Sequence, residues 1–182
     1  AAYTIAVRID SLALLPAMNF AQALSTFVGQ NIGAGKNERI KKGLKATLGY
    51  SLIISLSVTA LVVLFSDPIL GLFTKDQAVI DVGKTYLHIV TSFYFLFSVM
   101  FAFNGVLRGA GATIIPMFIS LFSLWVVRIP LAWWLSDAIG YKGIWWAIPI
   151  AWTSGVIITF IYYLSGKWKN KAVVSKRVLV TE

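Results

Sequence analysis

The chain has 182 residues, 58% of them hydrophobic and only 13% charged, with a mean hydropathy of +0.80. A water-facing domain carries roughly a quarter charged residues, so a soluble globular fold is excluded. The net charge of +9 does not point to nucleic acid either, because the basic residues bracket apolar runs instead of forming one patch. Cysteine is absent, which removes disulfides and thiolate metal sites and leaves the redox compartment unread.

Five stretches are long enough to cross a hydrocarbon core, which takes about 20 helical residues. They lie at about 11–34, 46–66, 85–107, 113–136 and 143–166. Four of them lack Asp, Glu, Lys and Arg, and the fourth in order is interrupted by Arg128 alone. None shows the two-residue alternation of barrel strands, so the expected class is all-α, a polytopic membrane protein.

The first span is the most polar. Asn19, Gln22 and Thr26 recur at helical spacing and share one face, while Pro16 interrupts the hydrogen-bond ladder. Such a face either bonds to a neighbouring helix or lines a polar pathway. Asp10 and Arg8 stand near the start of this span, His88 one turn into the third and Arg128 in the outer part of the fourth. Ionisable groups at such depth are costly and usually serve a purpose. An Asp10–Arg128 ion pair is one arrangement the positions allow, and Asp10 is the leading candidate for ion or substrate binding.

The first loop, 35–45, holds Lys36, Arg39, Lys41, Lys42 and Lys45 against Glu38. The second is mixed, the third holds Arg108 and the fourth is balanced. Beyond the last span come Lys167, Lys169, Lys171, Lys176 and Arg177. Eleven of the 16 basic residues thus fall on one side, which the positive-inside rule makes cytoplasmic. The C-terminus is then inside, residues 169–182 form a basic cytoplasmic tail, and five crossings put the N-terminus outside. With no initiator methionine, the chain is expected to be part of a longer protein lacking at least one upstream span. Trp133, Trp134, Tyr141, Trp145 and Trp146 flank the fourth loop as an interfacial belt, and Trp168 marks the opposite boundary. Trp125 and Trp152 lie deeper and either face lipid or line a cavity. Residues 68–73 suit a short segment lying in the outer interface.

Glycine pairs four apart, Gly29/Gly33 and Gly105/Gly109, end two spans on the basic side and permit close helix approach. No phosphate loop, metal-ligand cluster or nucleophile arrangement is present in the sequence, so an enzyme and ATP-driven transport are not expected from these residues.

Several motifs together resemble the multidrug and toxic compound extrusion (MATE) family. These are Arg8-Ile9-Asp10-Ser11-Leu12-Ala13 leading to Pro16, Val28-Gly29-Gln30-Asn31-Ile32-Gly33-Ala34-Gly35, and Leu107-Arg108-Gly109-Ala110-Gly111-Ala112-Thr113 before Pro116. Leu72-Phe73-Thr74-Lys75-Asp76 and Arg128-Ile129-Pro130 add to them. The resemblance implies twelve helices in two six-helix lobes, with residues 1–168 supplying helices eight to twelve of the C-terminal lobe. It implies an antiporter that exports cationic amphipathic compounds in exchange for H⁺ or Na⁺ by alternating access. No cofactor beyond that ion is implied, and the setting would be the plasma (inner) membrane. The partners would be small cationic substrates, the bilayer and the N-terminal lobe of the same polypeptide. On this reading Asp10, Asn19, Gln22, Thr26 and Arg128 line the pathway. Gly29, Gln30, Gly33, Gly35, Arg108, Gly109 and Gly111 shape the cytoplasmic gate. Relatives often carry Glu at the position of Asp10, and their acids in the seventh and tenth helices have no counterpart here. The alternatives are a flippase of lipid-linked oligosaccharide or peptidoglycan precursors, or a non-transporting membrane subunit.

Overall fold

The computed structural model describes residues 2–171; residues 172–182, most of the expected tail, lie outside the described residues. The described chain is a series of helices joined by short turns. Its first helix, α1 (Ala2–Gly33), is 32 residues long, roughly 48 Å at 1.5 Å per residue. That exceeds the ~30 Å hydrocarbon thickness, so the span starts earlier than its charge-free run suggests and carries Arg8 and Asp10 within the helix. Next come α2 (Asn37–Leu64) and a short α3 (Ser66–Gly71). The third crossing is a broken pair, α4 (Gln77–Thr91) and α5 (Tyr94–Gly109), bent by 46°. The fourth is continuous but mixed: α6 (Ile114–Leu121), a π segment (Phe122–Arg128) and α7 (Ile129–Ile139). Last is α8 (Tyr141–Leu164), followed by a 3-10 turn at Lys167–Lys171. Among the described residues four helices are long and apolar enough to span, or up to five if the bent pair counts as one.

Local chemistry explains where these elements start and stop. The Asp76 carboxylate caps α4 by accepting the Ala78 amide hydrogen at 3.0 Å. At the basic end, α1 and α5 stop in the same way. Lys36 N–H bonds to the Asn31 carbonyl and Gly35 N–H to that of Ile32, with Gly35 at φ +67°. Ala112 N–H bonds to Leu107 and Gly111 N–H to Arg108, with Gly111 at φ +83°. Both are Schellman turns, in which the left-handed residue favours glycine. Gly35 and Gly111 of the two basic-side motifs are therefore helix stops.

The same motifs bring α1 and α5 together. A Cβ on Gly105 would lie 2.6 Å from the Ala21 carbonyl oxygen, and one on Gly109 would lie 2.3 Å from that of Ser25. Gly29 faces the Gly109 carbonyl from the other side, at 3.3 Å. Gly33, its motif partner, has nothing within 4 Å. Lipid gives helices no hydrophobic reason to associate, so this approach of backbones is what holds the pair.

The break in the third crossing contains neither proline nor glycine. Ser92 and Phe93 leave the ladder, and the Thr91 carbonyl accepts instead from Thr59 Oγ1 on α2 at 2.7 Å. A neighbouring hydroxyl thus satisfies a carbonyl that lipid could not. Three core clusters follow along the bundle: one around Leu87, Val90 and Trp145 at the aromatic end, one around Val28, Val106 and Leu107 at the basic end, and a small one at Phe97 and Met100. Leu56, Leu61, Leu64, Trp125 and Trp133 point outward, as lipid-facing residues do.

Two expectations about tryptophan change. Trp145 is buried against Tyr86 and does not belong to the interfacial belt, whereas Trp133, Trp134, Tyr141 and Trp146 are exposed. Trp168 is buried too, stacked on Tyr163 at 5.4 Å with its Nε1–H donating to the Tyr163 carbonyl. The segment at 68–73 is α3 with its following turn; Leu70 anchors it while Leu72 and Phe73 stay exposed.

Candidate functional site

The buried stripe of α1 runs through Ala6, Ile9, Asp10, Ala17, Ala21, Leu24, Val28 and Asn31. All but Asp10 and Asn31 are apolar, which isolates the carboxylate inside the bundle at 8% exposure. A buried carboxylate must be charge-paired or hydrogen-bonded to persist. Asp10 takes the second course. Tyr86 Oη donates to its Oδ2 at 2.5 Å, and Tyr94 Oη donates to its Oδ1.

The two tyrosines are eight residues apart and lie on opposite sides of the break, Tyr86 on α4 and Tyr94 on α5. Each is at most 2% exposed. Aromatic rings wall them in. Tyr3 and Trp145 meet Tyr86 edge-on at 5.7 and 5.5 Å, and Trp152 lies 6.5 Å from Tyr94. Three crossings and one helix break thus converge on a single acid. In so dry a setting, hydrogen bonds to a charged acceptor are strong.

Arg128 is not its partner. No ion pair joins Asp10 and Arg128; the ion pairs among the described residues are Lys41–Glu38 at 2.9 Å and Lys84–Asp67 at 2.7 Å. The phenols occupy both carboxylate oxygens, and Arg128 sits at the end of the π segment on a cavity of about 230 Å³. Met100, Phe101, Leu124 and Trp152 form most of its wall, with Ser120 and Ser123 as polar points. Trp152 therefore lines a cavity, whereas Trp125 is exposed. The π geometry places Ser123 beside Gly155 of α8, where a Cβ would meet Met100 Sδ at 2.7 Å.

Asn19, Gln22 and Thr26 do share a face, but it makes no interhelical bond among the described residues. All three are exposed, and Thr26 Oγ1 donates only to the Gln22 carbonyl of its own helix, at 3.4 Å. Among the described residues that face therefore bonds to no other helix. His88 has a local role: its Nε2 lies 3.4 Å from Ser66 Oγ and ties α4 to α3. Gln30 and Arg108 are exposed at the basic end beside their glycine turns.

The tyrosines went unnoticed in the sequence. The only trace was their spacing, two helical turns apart within an apolar run and facing a helix with one buried acid. No cluster of three His, Cys, Asp or Glu that could hold a metal occurs among the described residues.

Comparison with known proteins agrees with this architecture. A probable multidrug resistance protein NorM of Thermotoga maritima is 29% identical over 178 residues, which are 97% of this chain and 38% of that protein. The probable multidrug resistance protein YpnP of Bacillus subtilis is 34% identical over 162 residues, 89% of this chain and 36% of its own length. Among solved structures, the inward-facing conformation of a multidrug resistance MATE family transporter matches with a TM-score of 0.85 at 21% identity, over 94% of this chain and 40% of that one. The MATE multidrug transporter DinF-BH, solved in complex with a dye, matches with a TM-score of 0.78 at 29% identity, over 89% of this chain and 36% of that one. The chain thus spans well under half the length of the relatives it matches. The MatE family model matches residues 1–134, and with the apolar crossings this places the chain, as part of an integral membrane protein, in the MatE family.

Proposed function

We infer that the whole protein is a secondary active antiporter that exports small amphipathic, cationic compounds in exchange for protons. In this reading Asp10 is the carboxylate that exchanges the proton. The chain provides most of one lobe, a second lobe completes the pathway, and the two rock between inward- and outward-open states. It sits in the plasma membrane with the basic end, and so the C-terminus, in the cytoplasm. The exposed Asn19, Gln22 and Thr26 face fits a pathway lining that the rest of the polypeptide completes.

One observation carries the choice of proton over sodium. Both oxygens of Asp10 already accept phenol hydrogens, in a pocket walled by aromatic rings. A sodium ion needs a shell of open oxygen acceptors, whereas a proton needs only one oxygen and a neighbour that can rearrange its hydrogen bond. The phenols supply that neighbour. Export of dye-like compounds is supported by the names of the relatives and by the dye complex of DinF-BH.

The test is ethidium efflux from proteoliposomes of the full-length protein. Wild type should run on an imposed pH gradient without sodium, and Asp10→Asn should fall to the rate of empty liposomes while Asp10→Glu keeps partial activity. Efflux that follows a sodium gradient with the pH gradient collapsed would overturn proton coupling.

A further inference from the structure

The α2 face turned to the third crossing carries a hydroxyl on each of three successive turns, Ser51, Ser55 and Thr59. Thr59 is spent on the Thr91 carbonyl at the helix break. The other two, with Tyr94 and Ser98 one turn apart on α5, border a small space closed on its third side by Ala13, Pro16 and Phe20 of α1. Its volume is about 10 Å³, room for one water and for no larger guest. Ser51 and Ser98 are each 3% exposed, and their hydroxyls find no partner among the described residues. The little surface they keep opens onto this space. Ser55 Oγ donates to the Leu52 carbonyl at 3.1 Å and retains lone pairs to accept. A buried water is held by about three polar partners, and four hydroxyl-bearing side chains stand here.

The space adjoins the Asp10 site through Tyr94, on the side toward the basic end. Ala13 to Phe20 follow Asp10 along α1, Ser98 follows Tyr94 along α5, and both helices run on to the glycine turns. Protonation of Asp10 on Oδ1 makes that oxygen a donor. Tyr94, which donates to it when it is ionised, must then turn its own hydrogen elsewhere. A buried hydroxyl hydrogen without an acceptor is costly, and a water among the serines accepts it. Tyr86 has no such outlet, because Tyr3 and Trp145 close on its ring. We propose that the space holds one buried water, and that Tyr94 and this water form the relay by which the Asp10 proton leaves toward the basic end. On release, the carboxyl O–H gives its proton to Tyr94 Oη while the phenol passes its own hydrogen to the water. The carboxylate regains its charge and the phenol ends neutral. The excess proton rests on the water, between Ser51 and Ser98, for onward transfer to solvent at the basic end. The two serines are positioning residues that hold the water. The relay rests on the reading of Asp10 as the proton carrier; the water site itself does not.

Two measurements on the full-length protein test the site and the relay separately. In X-ray radiolytic labelling, hydroxyl radicals form from bound water and mark the side chain beside it. Tyr94 should be hydroxylated although it is 1% exposed, and Tyr86, at 2%, should not. The double variant Ser51→Ala/Ser98→Ala adds no atoms, so it should fold. It leaves the space largely apolar, and such spaces stay dry, so the labelling of Tyr94 should be lost. Ser57→Val, on the exposed face of α2, should change nothing. An unlabelled Tyr94 in wild type would overturn the site. So would labelling that survives in the double variant or appears equally at Tyr86, and so would Ser57→Val acting like the double variant. The second measurement is stopped-flow infrared spectroscopy after an upward pH jump, with the Asp10 carboxyl band identified by its absence from Asp10→Asn. That band should decay about tenfold more slowly in the double serine variant, the factor for one hydrogen bond lost from the transfer barrier. An unchanged rate would overturn the relay. A spectrum with no Asp10 band at any pH would overturn the reading of Asp10 and the relay with it, while the labelling of Tyr94 would still decide the water site.

Discussion

The contact between α1 and α5 is made twice, by opposite means. At the basic end, Gly105 and Gly109 let backbones touch Ala21 and Ser25, and nothing but the absence of side chains is needed. At the aromatic end the same two helices meet through Asp10 and Tyr94, a polar bond sealed from water. The first contact depends on shape and tolerates no added atom. The second depends on chemistry and tolerates no lost hydrogen. A membrane bundle can use both because neither relies on removing apolar surface from water.

Substitutions can separate the two modes. The largest effect is expected at Gly109. An alanine there would put its Cβ against backbone, which cannot move aside, so the loss should be about 3 kcal/mol or more, read as depleted folded protein in a thermal melt of the full-length chain. Next is Tyr94→Phe, which strips one donor from a buried carboxylate and should cost about 1–3 kcal/mol. Its combination with Asp10→Asn should be markedly less than additive in a double-mutant cycle; strict additivity would mean the two groups do not act as one unit. Thr59→Val frees the Thr91 carbonyl at the helix break and should cost about 1 kcal/mol, seen as faster amide exchange around 91–95. The smallest effect belongs to Gly33→Ala, which meets open space and should stay within about 0.5 kcal/mol. A large loss there would mean that a segment outside the described residues packs on Gly33.

These two modes also divide what could be read in advance. The apolar runs announced the crossings, and small residues four apart announced where helices approach, because both signals are local in sequence. The glycine turns are visible as motifs, and their geometry makes Gly35 and Gly111 helix stops. The Asp10 site was half legible. The acid stood out, but its partners are 76 and 84 residues away, and tyrosine in an apolar span carries no signal of its own. The Arg128 partnership failed because opposite charges are the simplest guess for a buried acid, while phenols serve equally well without a second desolvated charge. The 46° break was hidden as well, since its cause is a threonine on another helix.

The placing of Tyr86 and Tyr94 on either side of that break has a consequence for how the span can vary. Asp10 is bonded to both arms of a bent rod, so the angle of the rod and the occupancy of the acid share one degree of freedom. A substitution that reshapes the bend also reshapes the acid's surroundings, and one that alters the acid unpins both arms at once. Such a pair of properties is hard to tune separately by single changes, so the effects of variants at 10, 86 and 94 are expected to be coupled.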